Sequence, residues 1–284
     1  MANPPGPLVR NVSDTALWVA VYRARETERP DALFRDPYAR RLAGERGEQI
    51  ATISQAKASP DWPYIARTVR FDQIVNEQIK QGADMVINLA AGLDTRPYRM
   101  ELPAQLQWVE VDLPAMIDYK EEILQVEKPR CALQRVRLDL ADVNARRELF
   151  RELGGKARKV LVLAEGLLAY LSNDEVTALG QDLAAQQSFR DWAVDLASPG
   201  LLKMLQKELP VLSEAGSPLK FGPEEGPEFF VPSGWRPVEV YSMLKSAARL
   251  KRLPFFMRLI ALLPESNGRQ GSRPWGGVCR LTRI

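Results

Sequence analysis

From about residue 60 onward the chain alternates six or seven short, strand-like apolar runs with stretches of helical periodicity, and no other feature narrows its fold as far. A parallel sheet wrapped by helices requires this alternation, because each parallel connection must cross back over a face of the sheet. The first five runs are DMVINLA at 84–90, QWVEVDL at 107–113, CALQRVRLDL at 131–140, KVLVLAEG at 159–166 and DWAVDLA at 191–197. RPVEVYSM at 236–243 and GVCRLTR at 277–283 follow. The fourth run is nearly all apolar, as a strand covered on both faces must be. Between the runs, SNDE at 172–175 reads as a capping box, with Ser172 as N-cap and Glu175 at the third helical position. DWPYIARTVRFDQIVNEQIK opens on an Asp61 cap and an early proline and delivers the chain into the first strand.

The 284 residues suit one large α/β domain or two small ones. Four regions are expected. Residues 1–60 form a mostly helical cover, with one helix starting at a Ser13 cap and another stopping at Gly44. Residues 61–198 form the strand-rich core. Residues 199–235 form an insertion, since 199–234 hold six prolines and five glycines around a short helical patch; that composition suits a lid on the substrate side or a plain surface loop. Residues 236–284 complete the core with two strands separated by a helix over 244–263.

The chain has no histidine, which removes Ser-His-Asp and Cys-His catalysis and every histidine-ligated metal site. Cys131 and Cys279, the only cysteines, exclude a disulfide framework and a multi-cysteine zinc module, so no metal is expected. A net charge of +3 with interspersed signs gives no stripe for nucleic acid. The first residues lack the basic start and apolar core of a signal peptide, and a reducing cytosol is the expected compartment. FFMRLIALL at 255–263 carries Arg258 and has about half the ~20 residues of a membrane span, so no membrane partner is expected and the segment reads as a buried or interface helix.

In open α/β sheets ligands bind beyond the carboxyl ends of the strands, which directs attention to four places. They are the turn Ala90-Ala91-Gly92 after the first run, Glu110 and Asp112 around the end of the second, Asp139-Leu140 after the third, and Glu165-Gly166 after the fourth. Asp112 lies 20 positions beyond Gly92, the distance at which a carboxylate receives ribose hydroxyls, and it is equally placed to cap the next helix. Asp139 reads as a ligand or as a cap or turn residue. Glu165 is harder to assign to structure alone, since a carboxylate at the mouth of an apolar strand is expensive to bury without a partner. Tyr170 offers a substrate-facing hydroxyl or a core aromatic. Asp94 and Thr95 read as caps of a short helix entered through Pro97.

LAAGLDTRPYR, VEVDLPAM, VRLDL and VLAEGLLAYLSNDEV, in this order, together with SDTALWVAVYRARETERPDALFRDPYA and YIARTVRFD, resemble the leucine carboxyl methyltransferase family and its bacterial O-methyltransferase branch, some members of which are linked to polyketide pathways. The resemblance covers most of the chain. It implies a class I S-adenosylmethionine methyltransferase fold: a Rossmann-like, seven-stranded, mostly parallel sheet with its last strand antiparallel. It implies S-adenosyl-L-methionine as cofactor, with Arg67 on the methionine carboxylate, the 90–92 turn beside the methionine, Asp112 on the ribose, Asp139 and Leu140 framing the adenine, and Glu165 facing the methionine amino group. The activity implied is methyl transfer to a carboxylate or hydroxyl of a small molecule.

Two positions depart from the family pattern. Ala90 stands where a glycine is common, and Val19 stands where the leucine carboxyl methyltransferases proper place a lysine, which favours a small-molecule branch. On residues alone two other readings stay open: an NAD-dependent oxidoreductase, which calls for a three-glycine turn where AAGLDT supplies one, and a non-catalytic cofactor-binding homologue. Oligomeric state is not encoded in any motif.

Overall fold

The structure, a computed structural model, describes residues 13–56, 60–214, 216–264 and 273–284. Helices α1 (Ser13–Thr27), α2 (Ala39–Ala56) and α3 (Trp62–Lys80) come first. The core then runs β1 (Met85–Leu89), α4 (Arg96–Arg99), β2 (Gln107–Asp112), α5 (Pro114–Leu124), β3 (Ala132–Arg137), α6 (Val143–Gly154), β4 (Val160–Ala164), α7 (Asn173–Ala184) and β5 (Phe189–Ala197). Two short helices follow, α8 (Pro199–Glu208) and α9 (Pro210–Glu214), and the chain ends with β6 (Trp235–Ser242), α10 (Met243–Arg249), α11 (Phe255–Ile260) and β7 (Gly276–Arg283).

One seven-stranded sheet has the order β3-β2-β1-β4-β5-β7-β6. Strands β1 to β5 pair in parallel, and β7 runs antiparallel to both β5 and β6. The expected architecture is therefore present, antiparallel last strand included. Alternate residues of the central strands serve opposite cores. Met85, Ile87 and Leu89 join one cluster with Phe150, Leu179 and Trp192, while Val86, Leu161 and Leu163 join a second with Phe71, Ile74 and Val75 of α3. Burial on both faces explains why β1 and β4 are apolar without alternation. A third cluster packs Trp18, Val21 and Tyr22 of α1 against Leu42 and Ile65, which seats the N-terminal helices over the sheet.

Local details depart from expectation in three places. Asp61 precedes α3 in a right-handed helical conformation, and its backbone carbonyl, not its side chain, accepts from Tyr64 and Ile65. The helix expected over 244–263 is two helices. After α10 the Lys251 N–H donates to the Ala248 carbonyl and the Arg252 N–H to the Ala247 carbonyl, with Lys251 at φ 58°, the Schellman pattern that stops a helix. Pro254 then starts α11, none of whose residues is buried, so of the two readings of 255–263, a buried or an interface helix, the buried one is excluded. Gly44 does end a helical stretch, at φ 58°, but the chain turns there and re-enters a helix within α2. The Ser172–Glu175 capping box is present in both directions. The proposed Ser13 cap lies outside the described side chains.

Candidate functional site

The switch point of the sheet falls between β1 and β4, whose outward neighbours β2 and β5 run away on either side. A cavity of about 500 Å³ opens there, at the carboxyl ends of the strands. Arg67, Ala90, Ala91, Gly92, Asp112, Asp139, Leu140, Glu165 and Tyr170 all line it. Helix α1 contributes Thr15, Ala16, Val19 and Arg23 to the same wall, whereas none of the described residues of 199–234 lines it. That insertion stands behind the wall: the backbone amides of Lys220 and Phe221 donate to the Ala169 carbonyl.

The turn after β1 is built by two left-handed residues, Ala90 at φ 50° and Gly92 at φ 49°. Glycine accepts this conformation without strain; alanine does not. The backbone N–H of Gly92 donates to Asp112 Oδ2 at 2.6 Å, and the N–H of Leu113 to Asp112 Oδ1 at 2.7 Å. Asp112 therefore ties the ends of β1 and β2 together. It is not the cap of α5, whose N-cap is Leu113. Burial raises the Asp112 carboxyl above its ordinary value, against the pull of the two amides. Glu110, two residues earlier, is a structural ion: it is buried between Lys120 at 2.7 Å and Arg135 at 2.9 Å.

Asp139 is exposed and makes a local turn by accepting from the Ala141 N–H at 2.9 Å, while the cap of α6 is Asp142. Leu140 is half-buried, and its carbonyl accepts from Arg146. Tyr170 sits in a 3-10 turn over 168–170, with its hydroxyl 3.5 Å from Thr15 Oγ1, and burial pushes its phenol above the ordinary value. Thr95 precedes α4, yet its hydroxyl turns to Asp36 at 2.7 Å instead of capping. Asp94 does accept the Arg96 N–H at 2.9 Å.

Beyond the residues singled out in the sequence, a continuous ion-pair network forms the floor. Glu165 Oε1 meets Arg67 Nε at 3.1 Å and Oε2 meets Arg96 Nη2 at 2.9 Å. Arg67 also meets Asp195 at 3.0 Å, and Asp195 accepts the Gly166 N–H at 2.6 Å. Gly166 is left-handed at φ 71°, and a Cβ there would stand 3.3 Å from Arg67 Nη1, so the glycine lets the guanidinium lie against the backbone. Arg96 continues to Asp94 and Asp72, each at 2.7 Å, and Arg99 closes on Asp72 at 2.7 Å. Burial alone would lower the Arg67 and Arg96 guanidiniums, but the carboxylates around them hold both above the ordinary value. For Asp94, burial is outweighed by the charges of Arg96, Lys120 and Arg99, and its carboxyl is held well below the usual range.

Asp72, Arg96, Arg99 and Asp195 are the members of this network that the sequence does not single out. Asp195 carries a usable signal, a carboxylate between Val194 and Leu196 in the otherwise apolar stretch 192–197 of β5, the same cue that singles out Glu165. Among the described residues no cluster of three or more potential ligands for a metal ion occurs.

A model of the leucine carboxyl methyltransferase family matches residues 16–184. A protein of Mycobacteroides abscessus, provisionally named an S-adenosyl-L-methionine-dependent methyltransferase, is 34% identical over 197 residues, a stretch covering 64% of this chain and 64% of that one, under two thirds of its length. A Parafrankia protein with a similar provisional name is 31% identical over 257 residues, covering 86% and 83%. Two crystal structures share the fold: a provisionally named methyltransferase of Thermobifida fusca, at TM-score 0.59 and 16% identity over 100% of both chains, and a DUF574 family protein of Streptomyces avermitilis, at TM-score 0.58 and 14% identity over 92% and 96%.

Proposed function

Because the chain belongs to the leucine carboxyl methyltransferase family, we propose that it is an S-adenosyl-L-methionine-dependent O-methyltransferase acting on a carboxylate or hydroxyl of a small molecule. The observation that carries this reading is the convergence of all nine sequence-derived positions on one cavity at the switch point of the sheet.

The residues present fit the cofactor's groups. Arg67 has five donors and spends two on Glu165 and Asp195, which leaves three for a carboxylate. Each oxygen of Glu165 accepts one arginine and keeps a lone pair for an ammonium group. Asp112 likewise spends one lone pair per oxygen on backbone amides and retains capacity for ribose hydroxyls. The connected network holds three arginines (67, 96 and 99) and four carboxylates (72, 94, 165 and 195), a formal charge of +3 − 4 = −1. That balance complements an amino-acid zwitterion bearing one further cationic centre.

When bound, the sulfonium supplies an electrophilic methyl group. The chain's own contribution is orientation and desolvation: Arg67 and Glu165 fix one end, Asp112 the middle, and the apolar side chains of Leu140, Leu167 and Leu171 exclude water from the cavity. A carboxylate acceptor, with a reference pKa near ~4, is ionised at neutral pH and requires no base. This suits a cavity without histidine. A phenol acceptor, near ~10, would have to pass its proton to a neighbouring carboxylate.

The test is transfer of a tritiated methyl group to a panel of aliphatic acids, aromatic acids and phenols. We expect label in at least one class, and release of the label by mild base identifies an ester and thus a carboxylate acceptor. Cofactor binding with no transfer to any member would contradict O-methylation of small molecules.

A further inference from the structure

Six of the fourteen exposed large apolar side chains among the described residues lie within nine consecutive residues: Phe255 at 79%, Phe256 at 67%, Leu259 at 64%, Ile260 at 49%, Leu262 at 80% and Leu263 at 60% exposure. They belong to α11 and the turn after it. The element is fastened from its other side, where Leu253, Ala261 and half-buried Met257 pack on Trp62 and Ala66 of α3 and Ala247 of α10. The same helix α3 carries Arg67 and Thr68 into the candidate site.

The charge of this region is one-sided. Between Met243 and Leu263 there are five basic residues, Lys245, Arg249, Lys251, Arg252 and Arg258, and no acidic one. Arg252 is spent on Glu26 and Asp31, whereas Arg249, Lys251 and Arg258 are exposed. We propose that this face, with the Phe255-Phe256 pair at its tip, docks on an anionic lipid surface.

Three features select that occupant. Side chains exposed by 60% or more stand clear of their neighbours instead of lining a groove, which fits a deformable acyl boundary better than a preformed protein pocket. Basic side chains flanking an apolar tip meet lipid phosphates as the tip enters the headgroup layer. A second copy of the chain placed on the same face would set these cations against their own images, so the charge that favours an anionic surface opposes self-association. No helix among the described residues is long and apolar enough to cross a membrane, so the contact is one of surface and not of span. The proposal departs, for this face alone, from the sequence-based expectation of no membrane partner, and it does not depend on the methyl-transfer reading.

The test is flotation of the full chain with vesicles of phosphatidylcholine alone and of phosphatidylcholine with about one third phosphatidylglycerol, at low and high salt. We expect flotation with the anionic vesicles only, weakened by high salt. The double substitution Phe255→Ser, Phe256→Ser should lower the partition coefficient at least tenfold, and Arg249→Glu, Lys251→Glu should do the same, each variant keeping the wild-type circular dichroism and thermal midpoint. Equal flotation of wild type and either folded variant, flotation indifferent to lipid charge, or none at all would overturn the proposal. So would a dimer in light scattering that the phenylalanine pair variant dissociates, which would assign the face to a second copy.

Discussion

Ala90 is held at φ 50°, in the left-handed region, within the turn that shapes the cavity. An L-residue there costs about 1–2 kcal/mol relative to its right-handed conformation, a penalty that glycine escapes. Replacing Ala90 by glycine also loosens the unfolded chain, which offsets about 0.4–1 kcal/mol of the gain. The balance favours Ala90→Gly by about 0.5–1 kcal/mol, which for a chain of this length raises the melting midpoint by roughly 1–3 °C. Ala91 provides the control, because it is buried and is not among the left-handed residues. Ala91→Gly should destabilise by about 0.5–1 kcal/mol. Urea titration of the two variants beside wild type reads both effects, and calorimetry with S-adenosyl-L-methionine should show Ala90→Gly binding at least as tightly as wild type. A lowered urea midpoint for Ala90→Gly, or shifts of the same sign for the two glycine variants, would refute the strain at Ala90.

Other consequences follow from the ion pairs. Asp112→Ala should weaken cofactor binding by tenfold or more in calorimetry, with circular dichroism unchanged, since hydrogen bonds to a charged group contribute about 1.5–3 kcal/mol. Asp195→Ala releases both Arg67 and the Gly166 amide and should likewise raise the cofactor dissociation constant tenfold or more, whereas Asp195→Glu, which keeps the charge, should recover part of it. Asp94 has its carboxyl held far below the ordinary value, so the stability it contributes is complete above about pH 4 and is lost as the pH falls from there toward the lowered value. Asp94→Asn should therefore lower stability at pH 7 by about 3 kcal/mol and show a smaller drop in melting midpoint between pH 5 and pH 3 than wild type does. An equal drop would show that Asp94 is not the titrating group.

The strands were legible because the central ones are buried on both faces and must be apolar, and the capping box was legible because it is a local exchange of hydrogen bonds. What escaped was tertiary. Nothing in the helical pattern of 244–263 announces that Lys251 adopts a left-handed conformation, although Pro254 is a stop signal that the apolar periodicity beyond it obscured. Asp61 and Thr95 have cap-forming side chains but do not use them, Thr95 because Asp36 draws its hydroxyl into a buried network with Arg23. Arg96 stands in the sequence only as part of the LAAGLDTRPYR motif, with no role of its own. It is a hub because the fold brings Asp72 of α3, Asp94 of the turn and Glu165 after β4 around one guanidinium, and no spacing along the chain encodes that meeting.

Whether the cavity receives S-adenosyl-L-methionine, as proposed, is tested most directly by calorimetric titration of the purified chain with that compound. The account predicts one site per chain, competition by the demethylated product and no heat with NADH. Absence of binding by a folded protein would contradict it.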